Sequence, residues 1–312
     1  MSGIRRMFLK ATASQKALHK AVLEGDLDRV REILDAKPRL IEAADAEGNT
    51  ALHIVAGRLQ ILPRGFFKDA EGNTALHIVA DRLIAELLIG RGADVNARND
   101  DGWTPLHLAA AKDRSDLAAL LVDNSAAIDA PSRGGDAALH LAARNGNDRL
   151  CRFLIQNGAD IDAEAMYSLT PLHEALIAGR PAAARALIEN GADINYPHDD
   201  YQFFGRYYHP LYEAILSCPE DIALLLIQKG ADVNADNNHA SALHEAAGRG
   251  QLQVVKALVE RGANVNVRTS KDRFEIGGLQ TRECGSATPL RLAILSNHED
   301  VADYLRMHGA IE

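Results

Sequence analysis

The chain has 312 residues, 47% hydrophobic and 25% charged, a balance ordinary for a folded soluble protein. Its length exceeds what one compact core supports, so a second domain or a repeat architecture is expected. The formal charge of -9 repels phosphate and no basic block stands out, which argues against a nucleic-acid or membrane-surface partner. No apolar run approaches the ~20 residues of a membrane-spanning helix. Cys151, Cys218 and Cys284 are unrelated in spacing and form no CxxC pair, so a reducing, cytoplasmic location is expected.

Residues 1–14 read as a leader or cap. Arg5-Arg6-Met7-Phe8-Leu9-Lys10 looks like a twin-arginine export signal, but that pathway needs an apolar stretch next. Ser14, Gln15, Lys16, His19 and Lys20 interrupt it, so a basic amphipathic leader is favoured over export.

From residue 15 onward one pattern recurs. Thr104-Pro105-Leu106-His107, Ala137-Ala138-Leu139-His140 and Thr170-Pro171-Leu172-His173 start 33 residues apart. Weaker or displaced copies lie at Ala17-Leu18-His19, Thr50-Ala51-Leu52-His53, Thr74-Ala75-Leu76-His77, Pro210-Leu211-Tyr212, Ser241-Ala242-Leu243-His244 and Thr288-Pro289-Leu290-Arg291. A second landmark recurs in fixed phase, as Gly92-Ala93-Asp94-Val95-Asn96, Gly191-Ala192-Asp193-Ile194-Asn195, Gly230-Ala231-Asp232-Val233-Asn234 and Gly262-Ala263-Asn264-Val265-Asn266. Thr or Ser opens a short inner helix as its cap, and Pro comes next, where its missing N–H costs nothing. Runs such as Leu252 to Val259 predict an outer helix, ended by a glycine in the left-handed region. One such pair cannot bury both apolar faces, so units must stack.

These two motifs together resemble the ankyrin repeat, over roughly residues 15–312. The resemblance implies an all-α repeat solenoid of stacked helix-turn-helix units with β-hairpin connections, about eight to nine units including caps. It also implies a protein partner held on the concave face and hairpin tips, with histidine tying the inner helix to the hairpin backbone. In some ankyrin-like proteins the asparagine matching Asn96 or Asn195 is hydroxylated; here local Asx turns are the expected role for these side chains.

Departures from the pattern carry further expectations. Asp45 to Ala56 recurs letter for letter as Asp69 to Ala80, an interval too short for a full unit. Pro63 stands between the copies, and Thr74 lies 18 residues before Gly92 against 21 from Thr170 to Gly191. A stacking irregularity is therefore expected over 57–85, with the second copy docked, because its own outer helix comes directly after it. Two connections are extended, at 196–209 and 267–287. The first carries Tyr196, Tyr201, Phe203, Phe204, Tyr207 and Tyr208, six of the fifteen Phe, Tyr and Trp residues.

Trp103, Tyr201, Phe203, Phe204, Tyr207 and Tyr208 are the expected partner contacts, since aromatic anchors dominate interface energetics. The competing reading folds the aromatic insertion back into a groove between repeats and packs Trp103 on an adjacent hairpin. An enzyme built from the two insertions, using His198, Asp199, Asp200, His209 or Cys284, is the alternative of another class, and a structural link in a larger assembly a third. Against catalysis, GxSxG, P-loop and HExxH motifs are absent from the sequence. Carboxylate pairs such as Glu220-Asp221 and Glu299-Asp300 suit helix openings. Repeat histidines on helices about 8–10 Å apart cannot share a zinc that needs its nitrogens within about 4 Å. Cys151 is expected as an inert core thiol and Cys284 as the more accessible one. No catalytic residue, metal or cofactor is expected, and the chain is read as a monomer with a protein partner.

Overall fold

The computed structural model describes residues 13–56, 75–196, 209–235, 240–269, 275–276, 279–280 and 286–312, with only the backbone described for 75–80 and the two short strands. It divides into two compact units, one of Met1–Ala142 with Phe153–Ala159, the other of Ala143–Arg152 with Asp160–Glu312.

In the first unit the helices alternate between two layers. The inner layer is α1 (Ala13–Glu24), α3 (Ala51–Ala56) and α5 (Pro105–Ala111); the outer is α2 (Leu27–Ala36), α4 (Ala75–Gly90) and α6 (Ser115–Asp123). Inner helices pack on inner, outer on outer, and each inner helix on the next outer one along the chain. Leu18, Val22, Leu52, Val55 and Leu106 are buried from the inner layer, Val30, Leu34, Ile84, Leu88 and Leu117 from the outer. Each such side chain contributes ~1.5–3 kcal/mol on burial, and its neighbours are next-door helices, so stability accumulates pair by pair.

After α7 (Ala138–Asn145) and α8 (Asp148–Gln156), the second unit repeats this plan. Its inner helices are α9 (Pro171–Ile177), α11 (Pro210–Ser217), α13 (Ala242–Gly248) and α15 (Pro289–Leu295). Its outer helices are α10 (Pro181–Glu189), α12 (Glu220–Lys229), α14 (Leu252–Glu260) and α16 (Glu299–Met307). Glu220-Asp221 and Glu299-Asp300 open α12 and α16, as the charge pattern predicts. In the second insertion β1 (Glu275–Ile276) pairs antiparallel with β2 (Leu279–Gln280) and runs beside α13. Its base is closed by Thr269 and Ala287, the Thr269 N–H reaching the Ala287 carbonyl at 2.9 Å.

The inner-helix motif works through its histidine. Threonine supplies the cap as expected, its side chain accepting from the His107 backbone N–H, and His107 answers it: Nδ1 accepts the Thr104 N–H at 3.0 Å and lies 2.8 Å from its hydroxyl. Histidine thus takes the place that glutamate holds in a capping box. Thr50 with His53, Thr170 with His173 and Ser241 with His244 share this geometry. At Thr288 the third residue on is Arg291, which has no acceptor, so only the threonine's half of the box remains, its hydroxyl accepting the Arg291 N–H at 3.3 Å.

The duplicated segment resolves against expectation. The first copy supplies α3, which sits between α1 and α5, while the second begins α4 and runs on into the outer layer as one helix of 16 residues. Elsewhere the inner and outer helices are parted by a left-handed residue, Gly25, Asp113, Gly146, Gly179, Gly250 or Asn297, or, between α11 and α12, by the extended pair Cys218-Pro219. From Thr74 to Ile89 there is no glycine, asparagine or proline, so nothing turns the backbone and the helix continues. Asp81, where the turn is missing, meets Arg114, which is 0% exposed, Nη1 to Oδ2 3.1 Å. Arg114 Nε is also 3.4 Å from Asp116. Residues 57–74, the rest of the expected irregularity, lie outside the described residues.

Candidate functional site

The connections between units present a series of tight tips. Each is closed by a backbone bond across its ends, Asp45 N–H to Asn49 O at 2.9 Å, Asn99 to Trp103 at 2.9 Å, Ser132 to Asp136 at 2.8 Å and Ala165 to Leu169 at 2.9 Å, with a second from the fourth residue's N–H back to the first residue's carbonyl. In the first unit the tips are also bonded to one another, Asp100 N–H to Glu47 O at 2.8 Å and Arg133 N–H to Asp101 O at 3.0 Å. Gly102 takes φ 75° at such a junction, and a Cβ there would meet Arg133 N at 3.0 Å, which explains glycine at the fourth tip position. The result is a strip of tied backbone whose side chains are free to differ.

Histidines fasten the inner helices to this strip. His53 Nε2 donates to Trp103 O at 2.9 Å, His107 to Asp136 O at 2.9 Å and His244 to Ala287 O at 3.1 Å. With Nδ1 accepting and Nε2 donating, the ring is held as the neutral Nε2–H tautomer. Burial holds His53 and His107 below the ordinary histidine range. A hydroxyl 2.9 Å from an imidazole, as at Ser241 and His244, is also how a nucleophile–base pair begins. Here both partners are buried, and the third member is a backbone carbonyl in place of a carboxylate. The arrangement joins repeats; it is not placed to attack a substrate.

The asparagines correct an expectation. Asn96 and Asn195 do not cap their own turns. That bond comes from the aspartate two residues earlier, Asp94 Oδ1 accepting the Asn96 N–H at 2.8 Å and Asp193 Oδ1 the Asn195 N–H at 2.9 Å. The asparagine side chain instead crosses to the next unit. Asn96 donates to Ser125 O and accepts from Ala127 N–H; Asn195 does so with Gly230 and Asp232, Asn234 with Gly262 and Asn264, Asn266 with Gly309 and Ile311. An amide carries both a donor and an acceptor, which is why it serves. Asp162 holds the matching position and accepts the Asp193 N–H at 2.9 Å, but a carboxylate has nothing to donate. Burial raises its pKa.

Three inner helices carry a buried carboxylate four residues past the cap, Glu174, Glu213 and Glu245. Arg144 meets Glu174 with two bonds of 2.7 Å. Glu245 takes Arg249 and the phenol of Tyr212, the residue that replaces histidine on α11, at 3.3 Å. Cys151 is fully buried and its thiol is pushed up to about 12 by that burial, an inert core thiol as expected. Cys218 is half-buried and pushed to about 11 for the same reason.

Trp103 is half-buried and stacks on His107 of its own repeat, centroids 6.2 Å apart. Tyr201, Phe203, Phe204, Tyr207 and Tyr208 lie outside the described residues, as do His198, Asp199, Asp200 and Cys284. Tyr196, first of the aromatic run, turns back: its hydroxyl donates to Glu164 and its ring meets His173 edge-on, centroids 6.4 Å apart. His209 is the N-cap of α11. Sequence reasoning missed Met166 and Tyr167, both exposed at the Ala165–Leu169 tip. The available signal was an apolar pair where the other tips carry acidic, basic or glycine residues.

Comparison with known families matches residues 59–132, 80–165, 128–198 and 197–269 to the family described as ankyrin repeats (3 copies). Over 99 residues, 31% of the chain, it is 27% identical to mouse protein phosphatase 1 regulatory subunit 27. The matched stretch is 49% of that relative, so the chain spans about half the length of the curated relative it matches. No helix among the described residues is long and apolar enough to cross a membrane.

Proposed function

Since the chain belongs to the ankyrin-repeat family, we propose that it is a non-catalytic module that holds a protein partner on its inner-helix face and hairpin tips, in the cytoplasm. The observation that carries this reading is the tied strip of tips. Backbone bonds and buried histidines fix the scaffold, leaving tip side chains outside the core. A surface already rigid loses little freedom on association, which is what favours tight binding. The relative's name describes a regulatory subunit, a role exercised through another protein, and it supports the same class of function here. The contacts proposed are Trp103, Tyr201, Phe203, Phe204, Tyr207 and Tyr208, with the chain acting as a monomer across one continuous array from residue 15 to 312.

Affinity capture with the whole chain tests this, comparing the native protein with Trp103→Ala and with Phe203→Ser/Phe204→Ser. Loss of a specific protein in either variant is the expected result. Identical captures with all three would remove these residues from the binding surface, and turnover of a substrate by the purified chain would overturn the non-catalytic reading.

A further inference from the structure

The tip at Ala165–Leu169 differs from its counterparts in three respects at once. It exposes Met166 at 52% and Tyr167 at 41%, where the others carry Ala46-Glu47, Asp100-Asp101 and Arg133-Gly134. It holds two successive non-glycine residues in the left-handed region, Tyr167 at φ 64° and Ser168 at φ 53°, where the others have one glycine there. Such strain persists only when something over-determines it, and it concentrates at functional sites. Third, the carboxylates of Asp162, Glu164 and Asp193 beside it pair with no cation among the described residues. Asp162 accepts the Asp193 N–H, Asp193 the Asn195 N–H, and Glu164 the Tyr196 hydroxyl. Arginines pair with carboxylates elsewhere in this unit, as at Glu174, Glu189 and Asp221, so their absence here is local.

We propose that the Met166–Tyr167 tip is a docking site for a partner segment that carries a bulky apolar side chain flanked by arginine or lysine. The apolar pair supplies the contact area that an aromatic or aliphatic side chain would cover. The surrounding carboxylates choose the charge. Burial first, then the nearby charges of Asp193 and Asp160, opposes ionisation of Asp162, and an arriving cation relieves that repulsion. Nucleic acid fits badly, since its phosphates meet the same carboxylates. So does an anionic membrane. Tyr196 rests edge-on against His173, and its hydroxyl holds Glu164 in place.

The inference rests on the reading of the chain as a protein-binding module and names the chemistry of one contact. It is tested with the full chain and three labelled peptides: one with phenylalanine and leucine between arginines, one with glutamate for the arginines, and one with serine for the apolar pair. Fluorescence anisotropy is expected to show saturable binding of the first alone, weakened at least ~10-fold by Met166→Ser/Tyr167→Ser and by Glu164→Gln/Asp193→Asn, and weakened by salt. Tyr167→Gly separates a binding role from a structural one. Glycine accepts the left-handed backbone, so its urea midpoint should rise while peptide affinity falls; a fall in both marks the tip as structural and overturns the proposal. Equal binding of all three peptides, no saturable binding, or variants that bind as the native chain does also overturn it. A concentration-dependent dimer that Met166→Ser/Tyr167→Ser abolishes makes a second copy the occupant and overturns it too. If the peptides fail while capture through Trp103 or the 196–209 segment succeeds, this inference falls and the broader reading stands.

Discussion

Residues 45–56 and 69–80 are the same twelve letters, yet α3 ends at Ala56 and packs between two inner helices, whereas the second copy leads without a break into an outer helix. Local propensity is equal in the two, so propensity did not decide. The flanking sequences differ: Gly57 comes after the first copy, Asp81-Arg82-Leu83, with no helix breaker, after the second. A helix stops where something stops it, and a missing left-handed residue matters more here than the motif before it.

The most severe way to break this comparison is to delete residues 57–80. Ala56 would then join Asp81, the inner helix would run straight into the outer, and both could not keep their layers. The expected outcome is loss of a cooperative urea transition in the first unit. An unchanged midpoint would mean the second copy is dispensable as a connector.

Arg114→Ala comes next. It leaves Asp81 charged and buried where α4 meets α6, at a cost of ~3–5 kcal/mol. Chemical denaturation measures it, and a loss under ~1 kcal/mol would show that the pair does not anchor α4. His53→Ala is third. It strands the Thr50 N–H and the Trp103 carbonyl, a cost on the order of 2–4 kcal/mol. Hydrogen exchange should then rise across α3; protection equal to the native chain would mean the copy docks without its histidine.

The same histidines make the docking sensitive to acid. Burial lowers the folded pKa of His53 and His107 below 6.5, so below that value the unfolded chain binds protons that the folded chain refuses. Their stabilising contribution is complete above about pH 6.5 and is lost as pH falls toward the folded values. Urea midpoints should drop between about pH 7.5 and 5, with a shallower slope in His53→Gln/His107→Gln. A slope unaffected by those substitutions would place the acid sensitivity elsewhere.

The smallest expected effect sits at Asp162, which with Asp129 puts an aspartate where the other units carry a bridging asparagine. Asp162→Asn restores the missing donor toward the Gly191 carbonyl and removes a half-buried charge, a gain of ~0.5–1.5 kcal/mol. A lower melting temperature for the variant would show that the carboxylate has a partner worth more than the amide bridge.

Much of this architecture was legible in the letters. The Thr-Pro-Leu-His and Gly-Ala-Asp-Val-Asn motifs placed the helix pairs, because caps and left-handed glycines act locally. Which copy would dock was not legible from motif matching, since identical segments offer nothing to choose between and the choice lies in their flanks. Asn96 and Asn195 were misassigned for a related reason: a side chain that bridges two units has a partner 29 to 37 residues away, beyond what turn chemistry can reveal. At the surface, aromatic density drew attention to 196–209. The tip at Met166 and Tyr167 stands out only when tips are compared position by position.

The asparagine bridges give the array a chemical lifetime. Loss of the amide at Asn96, Asn195, Asn234 or Asn266 turns a donor into a second oxygen aimed at a carbonyl, so hydrolysis at one side chain sets two neighbouring repeats against each other. Ala97, Tyr196, Ala235 and Val267 come directly after these asparagines in the sequence. None is glycine, the neighbour that exposes an asparagine most to attack by the next backbone nitrogen, so the joints are built to age slowly.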